Sequence, residues 1–435
     1  MGNIVVIVGR PNVGKSTLFN RLTDSRDAIT DDTPGTTRDR HYGICEWQGR
    51  TFTIVDTGGY ISNTDDTFEK EIRKQIFIAL EEADVILFMV DGTAHITDLD
   101  ESLAELLRKS NKNVLLVVNK IDSYDKIYDA QIFYKLGLGE IFPISAITGS
   151  GTGDLLDKII ELLPEKKNVE IEEDLPRIAI VGRPNVGKSS LVNLLLGEER
   201  QIVTPIAGTT RDTIYTRFNK FGMDFYLIDT AGLRKKRKFK DQIEFYSILR
   251  TIRAIEHSDV CILMLDATEG IQNQDVNIFG LIQRNHKGIV IVVNKWDLIE
   301  KNTKTAKEFE NFVLKKIEPF TDIPIIFTSV YEKQRIIKVL ETALNVFENR
   351  KRKIQTSQLN KFLLDVIEKT PPPSHKGKYI KIKYVTQLPT PYPSFALYCN
   401  FPEYIRTPYK RFIENTIRKE YCFKGVPIEI YFRKK

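Results

Sequence analysis

Two lysines stand where a chain can grip phosphate. Lys15 lies in Gly9-Arg10-Pro11-Asn12-Val13-Gly14-Lys15-Ser16-Thr17, and Lys188 lies in Gly182-Arg183-Pro184-Asn185-Val186-Gly187-Lys188-Ser189-Ser190. Both stretches fit the pattern G-x-x-x-x-G-K-[ST]. Its glycines let successive backbone N–H groups close around phosphate oxygens. A helix starting at the lysine adds the positive end of its dipole. In such a loop the lysine reaches the β- and γ-phosphates, where it can act catalytically, and the hydroxyls of Ser16 and Ser189 ligate magnesium.

Three further blocks follow each loop in the same order. Asp56-Thr57-Gly58-Gly59 and Asp229-Thr230-Ala231-Gly232 are D-x-x-G sequences, followed by Tyr60 and Leu233. The carboxylates are expected to hold magnesium through its water shell, because this ion dehydrates reluctantly. The last glycine N–H is expected to sense a γ-phosphate. Asn119-Lys120-x-Asp122 and Asn294-Lys295-x-Asp297 select a base. A carboxylate there accepts from N1–H and the 2-amino group of guanine, whereas adenine offers no donor at those positions and leaves the carboxylate unpaired. Ser145-Ala146 is placed to complete the first base pocket through its backbone, with Ser329-Val330 as the less regular counterpart. In Gly35-Thr36-Thr37-Arg38-Asp39 and Gly208-Thr209-Thr210-Arg211-Asp212, Thr37 and Thr210 are favoured to complete the magnesium shell, with Thr36 and Thr209 close behind. The ligand set implied is GTP or GDP with Mg2+.

The elements that position these blocks follow from their spacing. The phosphate loop, the Gly-Thr-Thr block and the Asp-Thr block recur at an offset of 173 residues, and the Asn-Lys block at 175. That is a duplicated domain. In the first copy, apolar runs at Asn3–Val8, Thr51–Val55, Val85–Val90, Val114–Val118 and Glu140–Ile144 read as strands, with helical patterns between them. The alternation predicts an α/β fold, a doubly wound and mostly parallel sheet in each copy. Each block falls just after a strand, at the carboxyl edge where such sheets bind ligands. The expected domains are 1–163, an acidic proline-bounded linker at 164–176, 177–350, and a tail at 351–435. In the tail, helix Leu359–Lys369, strands Tyr379–Val385 and Phe395–Cys399, helix Tyr409–Glu420 and strand Ile428–Phe432 predict a small α+β domain.

Charge separates tail from body. From Lys351 onward there are 18 lysines and arginines against 6 acidic residues, a net of +12, so within a total of +6 the first 350 residues carry −6. A basic tail on an acidic body points to a polyanionic partner. No run approaches the ~20 apolar residues of a membrane span, and no secretory leader pattern opens the chain. A cytoplasmic location, no membrane partner and a monomer are expected. Cys45, Cys261, Cys399 and Cys422 form no C-x-x-C pair, so burial as small apolar side chains is expected instead of a metal site.

The motif order resembles that of the translation-factor-related GTPases. Two such domains with a short basic tail resemble one bacterial family, the double-domain ribosome-assembly GTPases called EngA or Der, over nearly the whole chain. The resemblance implies GTP hydrolysis, a role in maturing the large ribosomal subunit with rRNA as partner, and a KH-like tail. Two departures stand out. Tyr60 and Leu233 occupy the place where many GTPases carry a water-orienting glutamine. The tail has His375-Lys376-Gly377-Lys378, with one glycine, where a KH domain carries G-x-x-G. In similar GTPases an asparagine at the place of Asn12 and Asn185 helps bind potassium, which implies K+-stimulated turnover here, beside the plainer reading that each asparagine stabilises its loop. Arg234-Lys235-Lys236-Arg237-Lys238 follows Leu233 and is read as an RNA contact in the second switch loop. An RNA-modifying enzyme would need an added catalytic site, a membrane-bound GTPase would need an anchor, and a phosphotransferase has no use for N-K-x-D.

Overall fold

In the computed structural model the described residues are 3–23, 42–57, 76–77, 80, 83–123, 125–163, 175–197, 215–228, 243–300, 302–374 and 378–434. They form two compact units, Met1–Glu170 with Arg237–Glu256, and Ile171–Lys236 with His257–Lys435.

The first unit is built on β1 (Ile4–Val8), β2 (Tyr42–Trp47), β3 (Arg50–Asp56), β4 (Val85–Asp91), β5 (Asn113–Asn119) and β6 (Ile141–Pro143) in the order β2-β3-β1-β4-β5-β6. All neighbours run parallel except β2 and β3. β1 and β4 are buried at every position, which is why they read as unbroken apolar runs instead of alternating ones. β2 escaped that reading because it is an edge strand that alternates in burial. Helix α1 (Lys15–Thr23) packs Leu18, Phe19 and Leu22 into the core, and α2 (Asp98–Arg108) starts at a Thr97–Asp100 capping box. α3 (Thr152–Leu162) adds Leu155, Leu156 and Ile159.

The second unit repeats the plan with β7 (Arg177–Val181), β8 (Tyr215–Lys220), β9 (Met223–Ile228), β10 (Val260–Asp266), β11 (Gly288–Asn294) and β12 (Ile325–Phe327), in the equivalent order β8-β9-β7-β10-β11-β12. Its helices include α4 (Lys188–Leu196), α5 (Asn273–Arg284) and α6 (Ile336–Lys351).

The tail is the predicted αββαβ: α7 (Thr356–Lys369), β13 (Ile382–Gln387), β14 (Ser394–Cys399), α8 (Thr407–Tyr421) and β15 (Glu429–Lys434), with β13 antiparallel and β15 parallel to β14. β13 begins later than the expected Tyr379. Asn400 donates to the Tyr379 carbonyl at 2.9 Å and accepts from Lys381 N–H at 2.8 Å, so a side chain replaces the ladder there. The tail rests on the base of the second sheet. Val426 enters that sheet's core, Gly425 N–H donates to the Asp322 carbonyl at 2.8 Å, and the His286 and Tyr392 rings stack at 4.0 Å. Arg350, at the end of α6, reaches Asp259 at 3.2 Å. Three cysteines are buried as expected, but Cys422 is exposed: it ends α8 with a positive φ of 48°.

Candidate nucleotide sites

The first site assembles at the carboxyl ends of β1, β3, β4 and β5. The turn from β1 into α1 brings a glycine against the base-recognition strand. A Cβ on Gly14, whose φ is +98°, would collide with the Asn119 amide, and one on Gly187, at +102°, with the Asn294 amide. Only glycine allows that approach. Asn119 uses the contact: its Nδ2 donates to the Val13 carbonyl at 2.7 Å and its Oδ1 accepts from Ala146 N–H at 2.9 Å. One asparagine thus fastens the phosphate loop to the Ser145-Ala146 turn. Asn294 repeats this with Val186 at 2.9 Å and Val330 at 3.0 Å. Val330 therefore holds the place of Ala146 despite the altered sequence.

A cavity of about 600 Å³ lies over the first loop, lined among others by Pro11, Asn12, Gly14, Lys15, Ser16 and Thr17 on the phosphate side. Asn119, Lys120, Asp122, Ser145, Ala146 and Ile147 line the base side. Gly9, Arg10 and Val13 form the loop behind it. The Lys15 ammonium donates to the carbonyls of Gly9 at 2.9 Å and Arg10 at 2.8 Å. Burial pushes its pKa down to about 8, with Asp56 opposing and Arg10 adding to the shift. Lys188 makes the same contacts with Gly182 at 2.7 Å and Arg183 at 2.5 Å.

Ser16 Oγ donates to Asp56 Oδ2 at 2.5 Å, and Asp56 is buried. Two hard oxygen donors converging beside the phosphate loop fit magnesium. The Arg10 and Arg183 side chains turn away from the loop. Arg10 lies 3.4 Å from Asp100, and Arg183 pairs with Asp275 and Glu269, each at 2.8 Å. Each anchors its loop to the capped start of the helix after the fourth strand of its sheet. Thr57 also faces inward, its hydroxyl donating to the Ile7 carbonyl at 2.9 Å.

On the base side, Ser145 Oγ donates to Asp122 Oδ1 at 2.9 Å. In the second site Asp297 Oδ1 is buried without a hydrogen-bond partner. A buried carboxylate oxygen that lacks a donor is what a guanine N–H would satisfy. Lys120 and Lys295 take positive φ, 71° and 61°. Their ammonium groups pair with Asp91, at 2.6 Å, and with Asp266, leaving the stems free to cover a base plane. Burial opposes ionisation of both aspartates, but hydrogen bonds from the lysines and from Thr93 or Thr268 hold their carboxyls below the usual range.

The sequence reading missed Asp91 and Asp266. The signal was present, since Asp91-Gly92-Thr93 recurs as Asp266-Ala267-Thr268 at the same 175-residue offset. It also missed Arg21, whose guanidinium holds the Ala146 carbonyl at 3.2 Å; nothing local marks it. Asn12, Asn185, Pro184, Ser189 and Ser190 stand on or beside the loops, with Asn12 and Asn185 at φ of 61° and 64°. Thr37, Gly58, Gly59, Tyr60, Thr210, Asp229, Thr230, Ala231, Gly232, Leu233 and the basic run 234–238 lie outside the described residues.

Residues 4–120 and 177–295 each match the family described as 50S ribosome-binding GTPase. Residues 353–433 match the KH-domain-like C-terminal domain of EngA bacterial GTPase enzymes. The chain is 59% identical to the GTPase Der of Christiangramia forsetii over 100% of both chains. It is also 59% identical to that of Bacteroides thetaiotaomicron, again over 100% of both. A solved structure of the G domain of the T. maritima FeoB iron transporter is 27% identical, covering 37% of this chain and 99% of that one, with a TM-score of 0.28 that is too low to bear on function.

Proposed function

Because the chain belongs to the Der family of bacterial GTPases, also called EngA, we propose that it is a nucleotide-controlled switch in ribosome biogenesis, acting late in maturation of the large (50S) subunit through rRNA. Its activity is hydrolysis of GTP to GDP and phosphate. The observation carrying the ribosomal reading is the double match to a 50S ribosome-binding GTPase family in a chain whose tail carries +12. Among the described residues no helix is long and apolar enough to cross a membrane.

The chemistry assigned to each site follows from its donors. Backbone N–H groups of 9–16 and 182–189 cradle the phosphates, and Lys15 and Lys188 leave their carbonyl partners for the β- and γ-oxygens. Asn119 and Asn294 keep the loop and the base turn at a fixed separation. Asp122 and Asp297 accept from the guanine edge. Magnesium, when bound, neutralises charge on the β- and γ-phosphates. Ser16, Asp56 and Thr37 would hold it in the first site, and Ser189, Asp229 and Thr210 in the second. Asn12 and Asn185 are assigned to a potassium ion. The working parts are a first GTPase domain at 1–163, a linker at 164–176, a second GTPase domain at 177–350 and the tail at 351–435, acting as a cytoplasmic monomer. The run 234–238 is assigned to RNA.

The test is co-sedimentation with purified large subunits at near-physiological salt, loaded with GDP or with a non-hydrolysable GTP analogue. Salt is fixed because any basic tail binds RNA weakly when it is low. Binding that depends on the analogue is expected. Absence of binding in both states, with both sites loaded, would overturn the ribosomal reading and leave the GTPase intact.

A further inference from the structure

The tail sheet has two unlike faces. Val385, Phe395, Leu397, Cys399 and Ile430 point toward α7 and α8 and are buried with them. Alternation sends the other set to the opposite face, where Ser394 and Ala396 are buried and Tyr398 is half-buried. Across the three strands Tyr384 is paired in register with Tyr398, and Tyr398 with Arg433. The next rank is Thr386, Ala396 and Tyr431. Tyr384 is 43% exposed and Tyr431 is 38% exposed, and the rings of Tyr384 and Tyr398 are tilted 44° with centroids 6.0 Å apart.

Charge surrounds these rings. The register slips between Ile382 and Tyr384, so Lys383 and Tyr384 are both exposed. Arg433 is exposed on the far strand. The acidic residue of β15, Glu429, sits at the opposite end of the strand, 3.6 Å from Lys410 and 3.9 Å from His286. Aromatic planes flanked by cations suit a strand whose bases are unpaired: bases stack on rings regardless of sequence, and lysine and arginine neutralise the phosphates between them. A duplex hides its base faces and cannot use the rings.

We infer that this face is a stacking platform for single-stranded RNA, with two or three unpaired bases lying on Tyr384, Tyr398 and Tyr431 and their phosphates paired with Lys383 and Arg433. The choice of RNA over DNA rests on the ribosomal reading above; the platform rests on the sheet. It differs from a KH grip, since it uses the tyrosines of the sheet face opposite the helices, beside the buried Ser394 and Ala396, and needs no G-x-x-G loop.

The test is fluorescence anisotropy of a labelled ten-residue oligouridine with the full-length protein held in GDP. That oligomer has no guanine to enter the base pockets. Replacing Tyr384 and Tyr431 together by alanine is expected to weaken binding about ten-fold or more, with the salt dependence unchanged. Replacing both by phenylalanine is expected to preserve it. Lys383→Ala is expected to weaken binding and to lower the salt slope by about one. Should the alanine variant fold poorly, photocrosslinking of a 4-thiouridine oligomer to the wild-type chain is expected to label peptides holding Tyr384 or Tyr431. Undiminished affinity in a folded alanine variant, tighter binding of a duplex, no binding of the oligomer, or crosslinks elsewhere would each overturn the platform. Equal affinity for oligodeoxyuridine would overturn the choice of RNA. Loss of oligomer binding in the variants with no 50S co-sedimentation of the wild type would sink the ribosomal reading while keeping the platform.

Discussion

The N–H of Ile289 donates to the carbonyl of Gly425 at 2.7 Å. Ile289 is the second residue of the strand that ends at Asn294, so one seven-residue strand, β11, joins the tail at one end to the base pocket at the other. Gly425 has φ +78°, and a Cβ there would lie 2.7 Å from Val346 Cγ2 and 2.8 Å from the Ile289 carbonyl. Gly425→Ala should therefore destabilise the second unit by roughly 2 kcal/mol or more. Urea unfolding with a probe in each unit measures this. An unchanged midpoint for the second unit would show that the contact does not hold the tail in place.

The same junction sets an acid limit. Burial pushes His286 down to about 4, and Lys287, Arg350 and Lys410 add to the shift. Glu429, at 3.9 Å, opposes the shift but does not reverse it. The folded pKa lies below the unfolded ~6.5, so this stability is full above pH 6.5 and drains away as pH falls toward 4. Between pH 7.5 and 5 the second unit should lose about 2 kcal/mol. His286→Phe, which keeps a ring against Tyr392, should lose correspondingly less, and parallel pH profiles for the two proteins would refute the assignment.

Lys15 should make nucleotide affinity fall with alkali. Its pKa in the empty site is about 8, and phosphate favours the charged form. Above pH 8 binding must take up a proton. GDP affinity at the first site should drop about six-fold from pH 7 to 8.8. Titration of a fluorescent GDP against the Asp297→Asn chain isolates that site. A flat profile would mean that the lysine is already charged when empty.

Base choice should be separable by site. Asp122→Asn replaces an acceptor with an amide that can donate to the 2-carbonyl of xanthine, and Asp297→Asn does the same in the second site. Each should lower GDP affinity at its own site by at least about 100-fold and admit xanthosine diphosphate. Binding stoichiometry by calorimetry would read this as one guanine and one xanthine nucleotide per chain. Two GDP per chain in either variant would remove the carboxylates from base recognition.

Turnover should depend on the monovalent cation. With tyrosine and leucine following the D-x-x-G blocks, a potassium ion held by Asn12 or Asn185 would supply charge where the transition state is negative. Replacing sodium by potassium should raise hydrolysis about ten-fold or more, and alanine at both asparagines should abolish the difference. Equal rates in the two salts in the wild type would leave the asparagines as loop stabilisers.

Much of this was legible in the residues because it is written locally and twice. Buried parallel strands are unbroken apolar runs, and the blocks that touch nucleotide must sit at their carboxyl ends. β2 and β8 were not legible: edge strands such as Tyr215–Lys220 bury only alternate positions and carry polar residues between. Arg21 and Gly425 were not legible either. Each acts on a partner more than a hundred residues away, and nothing in the neighbouring sequence records such a contact. Val330 lay between these cases, since its backbone N–H does the work of Ala146 and any side chain can carry it.

The tail's grip on β11 also breaks the symmetry of the duplication. In the first copy the matching strand opens with an exposed Asn113, whereas Gly288 and Ile289 are buried. The two halves therefore cannot be exchanged like spare parts. A gene carrying the first copy in both places would still encode two phosphate loops, but it would offer Gly425 and Val426 no complementary surface. The base of the second sheet therefore answers to the tail as well as to the nucleotide.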